Sequence, residues 1–174
     1  MRKAIFLDRD GVLNIPIIKD GKSFAPRKYK DFKIYPFVKK YCLLLKKKNF
    51  KLVVVTNQPD LGDGTIKKSE FKKMSDKLRV CLEIDEIHVA LSRSPRSFFK
   101  KPNSGMLLKS IKKNNFDVNK CFLIGDRWSD IKAASKIGCK SVFINRNYKE
   151  AFPEEQIATV RSFKKAVEII LKKI

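Results

Sequence analysis

Lys3-Ala4-Ile5-Phe6-Leu7-Asp8-Arg9-Asp10-Gly11-Val12-Leu13-Asn14 decides how this chain is read. The apolar run from Ala4 to Leu7 ends abruptly in two aspartates, one residue apart, followed by a glycine. A short run without polar residues reads as a buried strand, the kind that builds parallel sheets. Open α/β sheets place their chemistry beyond the carboxyl ends of such strands. Alternate residues of an extended segment share a face, so Asp8 and Asp10 can serve one site, and Gly11 marks the turn that follows. Two acids this close repel, which calls for a retained proton on one of them or a cation between them. The arrangement suits a nucleophile with a proton donor. Equally, aspartates often end a strand and begin a turn with no chemistry attached.

Further strand-like runs recur at Leu52 to Val55, Ile87 to Leu91, Cys121 to Ile124 and Ser141 to Ile144. Helical spacing fills the intervals at about Phe37 to Lys48, Lys67 to Leu82, Ser104 to Lys113 and Ser129 to Ile137, with a final amphipathic helix from about Val160 to Lys173. Strands alternating with helices predict a Rossmann-like parallel sheet flanked by helices, an α/β fold in one domain over residues 1–174. Asp20-Gly21, between Ile15 to Lys19 and Lys22 to Ala25, is a strong turn signal and predicts a small hairpin flap just after the paired aspartates. No later interval is long enough for an inserted cap domain, so the site is expected to be open.

The 174 residues, 43% hydrophobic, are enough for a real core. No stretch approaches the ~20 apolar residues of a membrane span, and Ala4 to Leu7 is too short for a secretory signal. These features predict a cytoplasmic protein without membrane association. Cys42, Cys81, Cys121 and Cys139 show neither metal-ligand spacing nor a disulfide framework and are expected to be buried thiols. The net charge of +22 draws anions, from phosphorylated metabolites to nucleic acid. The lysines are spread over nearly every predicted helix, and arginine, the better reader of bases and phosphates, is in the minority. A solvated lysine-rich surface is the favoured reading of that charge, with steering of an anionic substrate as its consequence.

Three other strand ends carry reactive residue types. Val53-Val54-Val55 runs into Thr56-Asn57-Gln58, and Cys121 to Ile124 runs into Gly125-Asp126-Arg127-Trp128-Ser129-Asp130. Lys100-Lys101-Pro102 follows the third strand, ahead of Gly105-Met106. Each has a plain structural reading as a helix cap, a first-turn acid or a solvated lysine. Strand ends of one parallel sheet converge on a single edge, however, and chance poorly explains Asp, Thr, Lys and Asp all arriving there.

With these residues assembled, the sequence resembles the haloacid dehalogenase superfamily of phosphatases from about Lys3 to Tyr148. Asp8-x-Asp10-Gly11, Thr56, Lys101 and Gly125-Asp126 with Asp130 look like its four motifs in order. Leu7 to Asn14, Thr56-Asn57-Gln58 and Lys101-Pro102 followed by Gly105-Met106-Leu107-Leu108 look like the branch of heptose 1,7-bisphosphate and histidinol-phosphate phosphatases.

The resemblance implies that Asp8 attacks phosphorus and that Asp10 is the proton donor and then the base. It also implies that Mg²⁺ is held by Asp8, Asp126 and the backbone carbonyl of Asp10. Lys101 and Thr56 would stabilise the transferring group, and Asp130 would support the metal. Asn57, Lys100 and Arg127 are carried over as substrate contacts. These roles fit phosphoryl transfer, which asks for positioning and positive charge, and Mg²⁺, which prefers oxygen ligands.

The branch often carries a zinc loop ahead of the Lys-Pro step. Here Val89 to Phe99 contains no cysteine or histidine, and the lone His88 cannot make a four-ligand site, so no zinc is expected. Phe98-Phe99 either pack that loop or stand exposed. Lys100 replaces an arginine common in the branch, which weakens a bidentate phosphate contact.

The leading expectation is a monomeric Mg²⁺-dependent phosphomonoester hydrolase acting on a small phosphorylated sugar or related metabolite. A polynucleotide 3′-phosphatase and a non-catalytic binding protein are the alternatives. The basic residues lack the aromatic interleaving of a nucleic-acid track.

Overall fold

A computed structural model describes residues 2–174. Six parallel strands form one sheet in the order β5-β4-β1-β6-β7-β8. They are β1 (Lys3–Leu7), β4 (Phe50–Asn57), β5 (Glu86–Ala90), β6 (Phe122–Gly125), β7 (Lys140–Ile144) and β8 (Ala158–Val160). The antiparallel pair β2 (Ile17–Lys19) and β3 (Lys22–Phe24) is the predicted flap. Asp20 and Gly21 turn it at φ of 53° and 77°. No inserted second domain occurs among the described residues.

The strands alternate between two cores because successive side chains point to opposite faces. Ile5, Leu7, Leu52, Val54, Phe122 and Ile124 face a core closed by α1 (Val38–Lys47), α3 (Lys68–Leu82) and α6 (Phe163–Leu171). Ala4, Phe6, Val53, Val55 and Leu123 face a second core closed by α4 (Gly105–Asn114) and α5 (Trp128–Ser135). In α1 the buried residues Val38, Tyr41, Cys42 and Leu45 recur at the helical period, and lysines cover its outer side. Ala4 to Leu7 are all completely buried, as a strand covered on both faces requires.

Register brings the chemistry together. Leu7 stands beside Val54 on one side and Ile124 on the other. From β1 the sheet grows outward through β4 and β5 in one direction and through β6, β7 and β8 in the other. The strand order therefore reverses between β1 and β6, at the crevice where ligands of such sheets bind.

Two elements differ from the sequence-based expectation. The final helix, predicted from about Val160, begins at Phe163, and Ala158 to Val160 form the edge strand β8 on β7. Ser162 separates the two elements, its side chain accepting from the Lys165 amide at 3.3 Å as a helix cap. A short helix, α2 (Pro59–Gly62), follows β4 with proline in its first turn. All four cysteines are free; Cys42, Cys121 and Cys139 are buried as expected, whereas Cys81 is only half-buried.

Candidate active site

Beyond β1, the Asp8 amide still donates to the Ile124 carbonyl at 3.0 Å. The chain then turns, with the amides of Leu13 and Asn14 both donating to the Arg9 carbonyl. Gly11 adopts φ +90°, and a Cβ there would lie 1.7 Å from Asp126 Oδ2. Only glycine lets this turn approach the end of β6 so closely. Asp8 is left at the floor of the site, 6% exposed.

Lys101 arrives from the opposite direction. Asn57, at the end of β4, clamps its backbone: Nδ2 donates to the Lys101 carbonyl and the Lys101 amide donates to Oδ1, each at 3.0 Å. Lys101 is 3% exposed, and its ammonium donates to Asp8 Oδ1 at 2.8 Å, Asp130 Oδ1 at 2.5 Å and the Val55 carbonyl at 2.7 Å. Asp130 is fixed in turn, since its Oδ2 accepts from the Arg127 amide at 3.0 Å at the start of α5.

Asp10 is braced from three sides. Arg9 donates to both of its carboxylate oxygens at 3.0 Å, Asn14 to Oδ1 at 2.9 Å and Gln58 to Oδ2 at 2.7 Å. The same Gln58 amide donates to Thr56 Oγ1 at 2.8 Å, tying the end of β4 to the first loop. Arg9 is itself buried, its guanidinium lying over the rings of Phe32 and Phe71.

Asp8, Asp126 and Asp130 each present a carboxylate oxygen, all within 4.8 Å of one another. Burial, then the nearby Asp130 charge, pushes the Asp8 carboxyl up to about 6, against the pull of Lys101. Burial, then the charges of Asp8 and Asp130, raises Asp126 well above the ordinary carboxylate range. Burial lowers the Lys101 pKa, but the Asp130 and Asp8 carboxylates outweigh it and hold the value above the usual one for lysine. Three buried acids thus share one ammonium. Asp126 Oδ1 is buried without a hydrogen-bond partner. An all-oxygen donor set with an unpartnered carboxylate oxygen and surplus negative charge fits a hard divalent cation.

Above this floor lies an open cleft of about 250 Å³. Lys22 to Ala25 of the flap, Thr56 to Asp60, Arg93, Arg127 and Glu150 form its walls, and Asp8, Asp10, Lys101 and Asp130 reach its inner end. Asn57 and Arg127 thus border the cleft, Asn57 while clamping Lys101 and Arg127 while paired with Glu150 at 2.5 Å. Lys100 is not among the lining residues; its ammonium donates to the Arg93 carbonyl instead. Arg93 does line the cleft, where it pairs with Asp60 at 2.7 Å and also with Asp63. Phe98 and Phe99 pack edge to face against each other and both remain exposed.

Comparison with known proteins accords with this geometry. A Campylobacter jejuni protein named D-glycero-alpha-D-manno-heptose-1,7-bisphosphate 7-phosphatase is 32% identical over 155 residues, covering 85% of this chain and 86% of its own. The chain belongs to the haloacid dehalogenase (HAD) superfamily of phosphatases. A family model described as HAD-hydrolase-like matches residues 98–162. A Haemophilus influenzae D-glycero-beta-D-manno-heptose-1,7-bisphosphate 7-phosphatase is 33% identical, with 80% of this chain and 78% of that protein covered.

The bifunctional histidine biosynthesis protein HisB of Bacteroides fragilis is 29% identical over 84% of this chain, which spans only 40% of that protein's length. Among solved structures, the D,D-heptose 1,7-bisphosphate phosphatase of B. bronchiseptica, complexed with magnesium and phosphate, superposes with a TM-score of 0.84. It covers 100% of both chains at 22% identity, a likeness of HAD fold. No described helix is long and apolar enough to cross a membrane.

Sequence reasoning missed Tyr148 and Glu150, and Arg9 as a buried brace. Tyr148 donates to Asp126 Oδ2 at 2.7 Å. It follows β7, another strand ending at the same sheet edge, and reading that end as the others were read finds it.

Proposed function

We propose that this HAD enzyme is a Mg²⁺-dependent phosphomonoester hydrolase that acts through a phosphoaspartate on Asp8. Its substrate is a small phosphorylated sugar resembling a heptose bisphosphate. The observation that carries the reading is Asp8 itself: buried at the inner end of an open cleft, 2.8 Å from the Lys101 ammonium and grouped with Asp126 and Asp130.

In this reading an Asp8 carboxylate oxygen attacks phosphorus as the bond to the leaving alkoxide breaks. Asp10, held in place by Arg9, Asn14 and Gln58, gives the alkoxide its proton. The resulting carboxylate then takes a proton from the water that hydrolyses the acyl phosphate and frees Asp8. Lys101 and the Thr56 hydroxyl face the charge that builds on the phosphoryl oxygens. Asp8, Asp126 and the Asp10 carbonyl would hold Mg²⁺, supported by Asp130, and the ion supplies further neutralisation of that charge. The protein's share is mainly positioning, as phosphoryl transfer requires.

Substrate class rests on the relatives and on the cleft. The walls offer hydroxyl, amide and charged groups at a scale suited to one small ester, and the flap covers only one side. Arg93 and Arg127 both border the cleft with carboxylate partners in place, so its mouth is less positive than the +22 charge suggests. That balance favours a small metabolite over a nucleic-acid strand. Four free cysteines accord with a reducing cytoplasm.

The test is phosphate release from a panel of heptose bisphosphates, sugar monophosphates, histidinol phosphate and 3′-phosphorylated oligonucleotides, with and without Mg²⁺. Turnover of sugar phosphates that is lost in Asp8→Asn supports the reading. Preference for the oligonucleotide would replace the substrate, and inertness of the wild type towards the entire panel would refute the catalytic assignment.

A further inference from the structure

The loop Asn145 to Glu150 contacts the turn after Asp10, Asp126, the flap and Arg127, although no motif of the superfamily resemblance falls on it. Arg146 Nε donates to the Gly11 carbonyl at 2.9 Å, in the turn that carries Asp8 and Asp10. Tyr148 Oη donates to Asp126 Oδ2 at 2.7 Å. The Lys149 amide donates to the Gly21 carbonyl at the tip of the flap at 2.9 Å, and the Ser23 hydroxyl of the flap also engages Tyr148. Glu150 accepts from Arg127 Nε at 3.0 Å.

We propose that Tyr148 is a positioning residue for Asp126, presenting one carboxylate oxygen to a divalent cation and linking that ligand to the flap. The proposal rests on the reading of Asp126 as a cation ligand. The two oxygens of Asp126 stand in different situations. Oδ2 is taken by the tyrosine, whereas Oδ1 is buried and unpartnered. A carboxylate with both oxygens free can rotate. One with Oδ2 pinned cannot do so without giving up the hydrogen bond from the tyrosine. The pin is stiff, because Gly11 leaves no room: a Cβ there would lie 1.7 Å from Asp126 Oδ2 and 2.7 Å from the Tyr148 hydroxyl. Partners that orient a metal-binding carboxylate commonly raise metal affinity by about 10-fold or more. The adjacent Lys149 contact extends the effect, since ordering Tyr148 also orders the segment that holds Gly21.

The experiment measures Mg²⁺ binding by isothermal titration calorimetry in the absence of substrate. Tyr148→Phe keeps the ring and removes only the hydroxyl, and should weaken Mg²⁺ by about 10-fold. At saturating Mg²⁺ its KM for a phosphate ester should stay near the wild-type value. Tyr148→p-aminophenylalanine, which restores a donor, should recover most of the affinity. In the wild type, Mg²⁺ alone should slow amide hydrogen exchange in residues 145–150 and 17–24. Mg²⁺ affinity of Tyr148→Phe within twofold of wild type overturns the proposal. So does unchanged exchange in a wild type that binds Mg²⁺, an arm that stands even where the variant does not fold. A wild type that binds Mg²⁺ but hydrolyses no ester would refute the catalytic reading and leave this proposal standing. A wild type that binds no Mg²⁺ would refute both.

Discussion

Lys101→Met is the perturbation that most directly probes the charge balance of the site. The residue is 3% exposed and its ammonium serves three acceptors: Asp8 at 2.8 Å, Asp130 at 2.5 Å and the Val55 carbonyl at 2.7 Å. Methionine keeps the unbranched apolar stem and ends one atom short of the ammonium, so the substitution chiefly removes the charge. It leaves Asp8, Asp126 and Asp130 clustered without a cation, and removing one partner from a buried ion pair typically costs about 3–5 kcal/mol. For a chain of this size that corresponds to a fall of roughly 6–20 °C in Tm.

The assay is thermal denaturation followed by circular dichroism at neutral pH, with and without Mg²⁺. Mg²⁺ should raise the Tm of the variant by more than that of the wild type, because it enters a site with a larger surplus of negative charge. Phosphate release should fall by about 10²–10³ even at saturating Mg²⁺, the scale seen when one donor to a developing oxyanion is removed. A cation-free Tm within about 2 °C of wild type, at most about 1 kcal/mol on this scale, would refute the view that Lys101 neutralises the cluster.

Asp8→Asn should abolish phosphate release yet leave the cation-free Tm equal to or above that of wild type at neutral pH, since it removes a charge that burial disfavours; a lower Tm would contradict this. Asp8 titrates at about 6 in the fold rather than 3.8, so between those values the native state holds a proton that the unfolded chain has released. Stability of the cation-free protein should therefore decline as pH rises through that window, by up to about 3 kcal/mol from this group. Mg²⁺ affinity should strengthen over the same range as the proton leaves, and calorimetric titrations across it check the sign. Arg9→Met should cost roughly 1–3 kcal/mol in stability, because Asp10 and Gln58 each lose a buried donor. Its kcat should fall more than its KM rises, if Asp10 is the proton donor.

The site was legible in the sequence where residue type, local pattern and strand polarity agreed. Asp8, Thr56 and Asp126 each terminate or follow an apolar run, and a parallel sheet must bring such termini to one edge. The fold class followed from the same runs, since Ala4 to Leu7 and Leu52 to Val55 carry no polar face. β8 escaped because it is a three-residue edge strand carrying an exposed threonine. Its last residue, Val160, continues the apolar spacing of the helix beyond it, so period alone could not divide them.

The residues that escaped at the site share a different property: their roles depend on what the fold delivers to them. Arg9 sits between two acids in a motif where an arginine reads as solvated. It is buried only because Phe32, Phe71 and Gln58, all distant in sequence, close around it. Lys100 and Lys101 are adjacent and chemically identical, yet one ammonium is enclosed by carboxylates while the other bonds a carbonyl of its own loop. The Asn57 clamp on the Lys101 backbone helps to decide between them, a contact spanning 44 positions. Tyr148 had only its place beyond the end of β7 as a signal; its hydroxyl matters because Gly11 lets the first loop close onto Asp126. The acids were readable because burying a carboxylate without a function is costly. Lys101 apart, which the superfamily resemblance picked out, their donors were not, because a cation or hydroxyl acquires its role from whichever acid the topology places beside it.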